Sequence, residues 1–212
     1  MAAVGKGLPT EIRIYYEGDK ALAPGFAQFF SQLRDTAKER RCKFSLISGK
    51  SGSEACQDFA TALKTHKNAW NILLKDSEAP DHGKLSSSLC EEQAWDKSHS
   101  DSIFWMVQMM ESWLHADKEA LEKFYGAGFR KNALKRNPKV EEISKADLTD
   151  GLATATKECS RGNYFENKRS HGPRLLASIN PGKVQQAAPN CKRLFETVLN
   201  RLAPDLPPSH LA

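Results

Sequence analysis

Glu11-Ile12-Arg13-Ile14-Tyr15-Tyr16-Glu17-Gly18-Asp19 packs isoleucines and tyrosines into a short run and closes on an acid-glycine-acid turn. Such a run, bounded by a turn signal, reads as a strand. Downstream, Pro24 suits a first helical position. Phe26, Phe29, Phe30, Leu33 and Ala37 then follow at helical spacing, which predicts one amphipathic helix ending near Arg41. Lys43 to Ser48 supplies a second strand that runs into the glycine-bearing turn 49–52. Ser51 and Glu54 match a capping box, and Cys56, Phe59, Ala60 and Leu63 line one face of the next helix. Ala69 to Lys75 (AWNILLK) is a third strand, stopped by Asp76. Strand, helix, strand, helix, strand implies a parallel sheet with right-handed crossovers, and so an α/β fold.

Outside this frame the signals are weaker. Residues 1–10 read as a polar lead-in. From Ser77 to Asp101 the chain is polar, carries Ser86-Ser87-Ser88 and shows no periodicity, which predicts a long loop. Ile103 to Val107 gives a fourth strand, leading into a helix through Met110, Trp113 and Leu114. Beyond Gly126 short helices alternate with basic turns. The last of them, with Leu194, Phe195, Val198, Leu199 and Leu202 on one face, ends before Pro204. The expected architecture is an α/β core over 1–126, with a mainly parallel sheet of about four strands flanked by helices. A mainly helical extension over 127–212 packs on it within one structural domain.

A chain of 212 residues, 40% hydrophobic and 27% charged, can bury a core without disulfide staples. The net charge of +5 permits a polyanionic partner without demanding one. The five cysteines are scattered and show no CxxC spacing, which argues against a zinc knuckle and against a secreted disulfide framework. The first residues contain no apolar signal-peptide core, and the longest apolar run is far too short to span a bilayer. A cytoplasmic address away from the membrane is the expectation.

In open parallel sheets ligands bind beyond the carboxyl ends of the strands. Glu17 ends the first strand and Asp76 the third, so both carboxylates should emerge on that edge, and Glu78 can turn back to the same place. Convergent carboxylates repel one another unless a cation sits among them. Hard oxygen ligands with room for water suit Mg²⁺ or Mn²⁺. Acidic residues also favour strand ends for purely local reasons, so the weight lies on the pair rather than on either residue. Glu111 lies in an almost wholly apolar segment, so its carboxylate needs a metal, a base or hydrogen-bond donors. Asp117 reads as an N-cap. His115, one turn after Glu111, could face the same site or be structural.

Basic residues cluster at Arg130, Lys131, Lys135, Arg136 and Lys139, and again at Lys157, Arg161, Lys168, Arg169 and Arg174. Solvated helix faces explain the first group best. The second encloses Tyr164 and Phe165, which could stack bases. Gly49-Lys50-Ser51 imitates the end of a P-loop, but Phe44 stands where that motif requires glycine.

Tyr15-Tyr16-Glu17-Gly18 and Asp76-Ser77-Glu78 resemble the two acidic motifs of the TOPRIM fold. The segment Met106 to Asp117 (MVQMMESWLHAD) is similar to the most recognisable stretch of a TOPRIM-like family of prokaryotic domains of unknown function. Phe124-Tyr125-Gly126, Lys168 to Leu176 and Ile179 to Pro181 resemble that family too. Its members are related to the OLD-family nucleases of phage defence and are often encoded beside ABC-type ATPases. The resemblance implies a TOPRIM-like fold and a Mg²⁺- or Mn²⁺-dependent nuclease that acts with such an ATPase. Glu17, Asp76 and Glu78 would be metal-binding and catalytic, with Glu111 a further acidic ligand and Lys168 a catalytic cation. Glu78 occupies the place of a second aspartate. A non-catalytic adaptor or regulatory subunit of the same shape is the alternative. The implied partners are nucleic acid, DNA or RNA, the ATPase, and a second copy of the chain if it forms a homo-oligomer.

Overall fold

The computed structural model describes residues 8–204; residues 1–7 of the expected lead-in, and residues 205–212 of the expected helical extension, lie outside them. β1 (Glu11–Glu17) is followed by a 3-10 turn (Lys20–Leu22), α1 (Ala23–Phe29), α2 (Ser31–Glu39), β2 (Lys43–Gly49), α3 (Gly52–Thr65) and β3 (Ala69–Asp76). Then come α4 (Leu85–Glu92), a second 3-10 segment (Lys97–Ser102) and β4 (Ile103–Met106). Helices α5 (Glu111–Ala116), α6 (Lys118–Tyr125), α7 (Lys145–Thr156), α8 (Lys168–Ser178), α9 (Pro181–Ala187) and α10 (Pro189–Leu202) follow, with 3-10 turns at Lys131–Ala133 and Val140–Glu142.

The four strands are all parallel, in the order β2-β1-β3-β4. Side chains alternate across the sheet with the period of two that a pleated strand imposes. Ile12, Ile14 and Tyr16 share one face with Ile72, Leu74, Phe104 and Met106, and pack against the aromatic side chains of α1 and α5. Tyr15, Leu73, Ile103 and Trp105 point the other way, onto Phe59 of α3 and Leu89 of α4. Cover on both faces explains why the central strands read as nearly continuous apolar runs. The first cluster also takes in Leu194, Phe195, Val198 and Leu202, so the C-terminal helical region shares the core of the sheet. Arg193 joins α10 to the edge strand: its Nη2 donates to Ile103 O at 2.7 Å, and its guanidinium lies 4.2 Å from the Phe104 ring centroid.

Two expectations are corrected. The helix from Pro24 to Arg41 is broken at Phe30 (φ −91, ψ 20) into α1 and α2. Neighbouring side chains on a straight helix diverge by about 100°, yet both Phe29 and Phe30 must reach the core. The bend allows it: Phe29 stacks on Trp113 at 5.0 Å, and Phe30 meets Phe195 at 5.7 Å. The stretch 77–101 is not one long loop, because α4 and most of a 3-10 segment lie within it. Its helical face is short, only Leu89 and Cys90 being buried. The serines that mask it are used locally: the Trp105 indole N–H donates to Ser86 Oγ at 2.9 Å.

All five cysteines are buried and unpaired. Among the described residues, no helix is long and apolar enough to cross a membrane.

Candidate metal centre

The chain leaves β1 toward β2 on one side and returns to β3 on the other, so the carboxyl ends of β1 and β3 flank the point where strand order reverses. That crevice is where open parallel sheets bind ligands. Glu17 and Asp76 terminate these two strands. Glu17 Oε2 accepts the Asp76 backbone N–H at 3.2 Å, so the first carboxylate is anchored on the strand that carries the second. Gly52, the first residue of α3, leaves room for it, since a Cβ there would lie 2.8 Å from Glu17 Oε2. The Gly49-Lys50-Ser51 turn is therefore fronted by a carboxylate instead of an open phosphate cradle.

Asp76 Oδ1 accepts the Met110 N–H at 2.9 Å, which ties the end of β3 to the turn after β4. The two turns are further laced together. Ser77 N–H donates to Met106 O at 3.2 Å, Glu78 N–H to Gln108 O at 3.1 Å, and Gln108 N–H to Ser77 Oγ at 2.8 Å. Glu78 (φ 61) and Gln108 (φ 65) are both left-handed without being glycine. Each such residue costs about 1–2 kcal/mol, and these two sit beside the carboxylates.

One carboxylate oxygen from each of Glu17, Asp76 and Glu78 lies within 4.8 Å of the others, close enough for a shared metal ion. Opposite ligands of an octahedral Mg²⁺ stand about 4.2 Å apart, so a small inward movement would bring the three oxygens to ligand spacing and leave the other positions to water. Burial, followed by the carboxylates of Glu111 and Glu17, pushes the Asp76 pKa well above the usual range, and Lys168 opposes the shift. An acid in that electrostatic position is one that a cation would relieve.

Glu111 is fully buried. Its Oε1 accepts from the Tyr164 hydroxyl at 2.8 Å and from Lys168 Nζ at 2.7 Å, while its Oε2 has no partner. Glu111 is not one of the three converging ligands, although its charge is felt at Asp76. The crossing of α1 with α8 positions Lys168, the first residue of α8. The two helices approach so closely at Gly25 that a Cβ there would meet Pro173 O at 2.6 Å. Glu17, Asp76, Met110, Lys50, Phe165 and Lys168 all line one cleft of about 510 Å³. A patch of hard oxygen ligands beside cationic side chains can hold a divalent ion next to a phosphate.

The profile of a family described as "Domain of unknown function (DUF4276)" matches residues 18–199. The chain belongs to the DUF4276 family. The matched stretch begins one residue after Glu17 and contains Asp76, Glu78, Glu111 and Lys168. No curated protein and no solved structure matches this DUF4276 chain.

The remaining sequence expectations on this DUF4276 chain resolve in different ways, the N-cap at Asp117 standing and base stacking by Tyr164 not. Tyr164 is wholly buried and cannot stack on a base. Burial, with the Glu111 carboxylate beside it, holds its phenol protonated well past its ordinary range, so it acts as a fixed donor. Phe165 is partly buried in the cleft wall. His115 turns its Nε2 toward α7, within 3.6 Å of where a Cβ on Gly151 would stand. Burial, with Lys118 nearby, lowers its pKa to about 4, so the ring is neutral. Asp117 caps α6, accepting the Ala120 N–H at 3.4 Å, and also accepts from Asn180 N–H and Lys183 Nζ of the α9 region.

Lys145, the first residue of α7, is the site residue that no sequence signal marks. It pairs with Glu78, which holds its ammonium pKa above the ordinary value, with Asp76 and Glu111 adding to the effect. A contact between residues 78 and 145 leaves no trace in local periodicity.

Proposed function

We propose that the protein is a divalent-metal-dependent phosphodiester hydrolase, a nuclease with a TOPRIM-like site. The observation that carries this reading is the convergence of Glu17, Asp76 and Glu78 at the switch point of the sheet, beside a cleft that Glu17, Asp76, Lys50 and Lys168 line. Mg²⁺ or Mn²⁺ held there would lower the pKa of a bound water and neutralise charge on the attacking and leaving oxygens. Glu17 and Asp76 are fixed by backbone hydrogen bonds and would orient the ion, while Glu78 would leave Lys145 to supply a third carboxylate oxygen. Lys168, braced by Glu111, stands where it would offset charge on a phosphate in the cleft. Dependence on an ABC-type ATPase rests on the sequence resemblance and belongs to the same reading.

A second reading, a non-catalytic adaptor of the same shape, is favoured by one observation. Glu78 and Glu111 already hold internal cations, Lys145 and Lys168, so part of the acidic charge is balanced without metal.

The deciding experiment combines calorimetric titration of Mn²⁺ with incubation on DNA and RNA. The hydrolase reading expects binding and metal-dependent cleavage, with Glu17→Gln and Asp76→Asn each reducing cleavage by at least ~100-fold. Both variants should keep a cooperative melt. Nucleic acid binding that is indifferent to EDTA, with no cleavage and no Mn²⁺ heat, overturns the hydrolase in favour of the adaptor.

A further inference from the structure

The two basic segments of the chain are built differently. In the first, Arg130 pairs with Glu158, Lys131 with Glu119 and Glu122, Lys135 with Asp147, and Lys139 with Glu142. Four of the five cations of this segment are thus neutralised, Arg136 alone having no carboxylate partner among the described ion pairs. In the second, Lys157, Arg161 and Arg174 are exposed and have no carboxylate partner among the described ion pairs.

Arg161 and Arg174 also converge. Each guanidinium lies 5.0 Å from the centroid of the same ring, Phe124, so the two charges stand within twice that distance of each other. His171 packs edge-on against that ring at 5.3 Å. Burial, then the charges of Arg174 and Arg161, lowers its pKa, so protonation that would add a third positive charge is disfavoured. Two like charges gathered around one aromatic ring without an anion form a site that lacks its counter-ion. Guanidinium groups fit phosphate oxygens through planar, paired donors, and stacking on a ring pre-orients them.

The patch lies on the chain segment that walls the cleft. Phe165, Glu166, Lys168 and Arg169 line the carboxylate cleft. Glu166 also lines a second depression with Lys157, Gly162 and Asn163, so the surface is continuous from the metal centre to Lys157. A cleft of about 510 Å³ is the size of a ligand pocket and suits an unpaired nucleotide.

We propose that residues 157–174, with Phe124, form a track for the sugar–phosphate backbone of a single-stranded polynucleotide. Arg161 and Arg174 grip phosphates upstream or downstream of the one at the carboxylates. This inference rests on the hydrolase reading for its choice of ligand, and its test separates the two.

The full chain is titrated in EDTA with fluorescein-labelled oligothymidylate and oligouridylate, and anisotropy is read at several salt concentrations. Binding should fall with salt, each phosphate contact adding about 0.7 to the log–log slope. The Arg161→Gln/Arg174→Gln double variant should bind roughly tenfold more weakly with a shallower slope. Arg130→Gln/Lys131→Gln removes the same formal charge from the neutralised segment and should stay within about twofold. Glu166→Gln should bind more tightly. Arg130, Arg161, Glu166 and Arg174 are exposed and Lys131 is partly so, and a thermal melt of each variant checks folding.

Equal losses in the two double variants would reduce the effect to net charge and overturn the track, as would no loss in the first or no binding by the wild type. Preference between the two oligomers identifies DNA or RNA as the source of the phosphates. Binding that depends on Arg161 and Arg174, without metal-dependent cleavage, keeps the track and overturns the hydrolase. Cleavage that needs Glu17 but ignores Arg161→Gln/Arg174→Gln does the reverse.

Discussion

Two lysines near the carboxylate cluster pair with carboxylates of opposite exposure, Glu78 at the solvent rim and Glu111 in the buried floor. Lys145 meets Glu78 at the rim, where the side chains are 42% and 58% exposed. Lys168 meets Glu111 at the floor, where the lysine is 45% exposed and the glutamate wholly enclosed. The contact type is the same, but the solvent is not. At the rim water screens both charges, so the pair contributes little and can open at small cost. At the floor the carboxylate has given up its hydration, and its remaining partners are structural necessities. The difference divides the two pairs: a carboxylate free to change partners above one that is fixed in place.

The largest effect should come from undoing the floor. Lys168→Met leaves Glu111 with the Tyr164 hydroxyl alone and should lower stability by about 3 kcal/mol in urea unfolding. A loss no greater than at the rim would erase the distinction between the two pairs.

Acid offers a second probe of how dry the floor is, because the His115 ring shares a hydrogen bond with Glu111 O, 3.2 Å away. Its folded pKa of about 4 lies below its unfolded value of 6.5, so the unfolded chain takes up the proton first. Stability is therefore complete above pH 6.5 and drains away as pH falls toward 4, by about 2–3 kcal/mol. His115→Gln should flatten this part of the stability–pH curve. If variant and wild type lose stability in parallel, the ring is not held neutral by burial.

Tyr164→Phe removes the other donor to Glu111 and should cost about 2 kcal/mol, as expected for a lost hydrogen bond to a buried charge. Asp76→Asn works in the opposite direction. Without metal it removes a repelling carboxylate and should raise the melting temperature, by the equivalent of about 1 kcal/mol, while any stabilisation by added Mn²⁺ disappears. The smallest change belongs to the rim: Lys145→Met should shift stability by less than about 0.5 kcal/mol, and a shift comparable to that of Lys168→Met would show that the rim is not screened.

What can be seen in the sequence tracks how local each cause is. The strands around Ile14 and Leu73, the capping box at Ser51 and the apolar face of α10 follow from spacing over one or two turns, and the all-parallel sheet follows from their order. The burial of Glu111 is legible because its neighbours are apolar all round. α4 is hidden because two buried side chains, Leu89 and Cys90, make too short a pattern against three serines. The bend at Phe30 answers to Trp113 and Phe195, far along the chain. For the same reason Tyr164 reads as an exposed aromatic between basic residues, although its hydroxyl ends on Glu111, and Lys145 carries no signal at all. Convergence of Glu17 with Asp76 needs only topology, whereas the partners of Glu78 and Glu111 need the tertiary fold.

The side chains around this cleft are contributed from Glu17 through to Arg169, with α8 lying close against α1 where Gly25 leaves room for it. A ribosome adding about 5–20 residues per second needs on the order of ten seconds to travel between those two positions. During that interval the emerging chain holds its acids without the braced lysine or the wall of the cleft. The arrangement of acids, lysine and cleft wall is thus absent from the nascent polypeptide, and only a chain finished through its helical half assembles it.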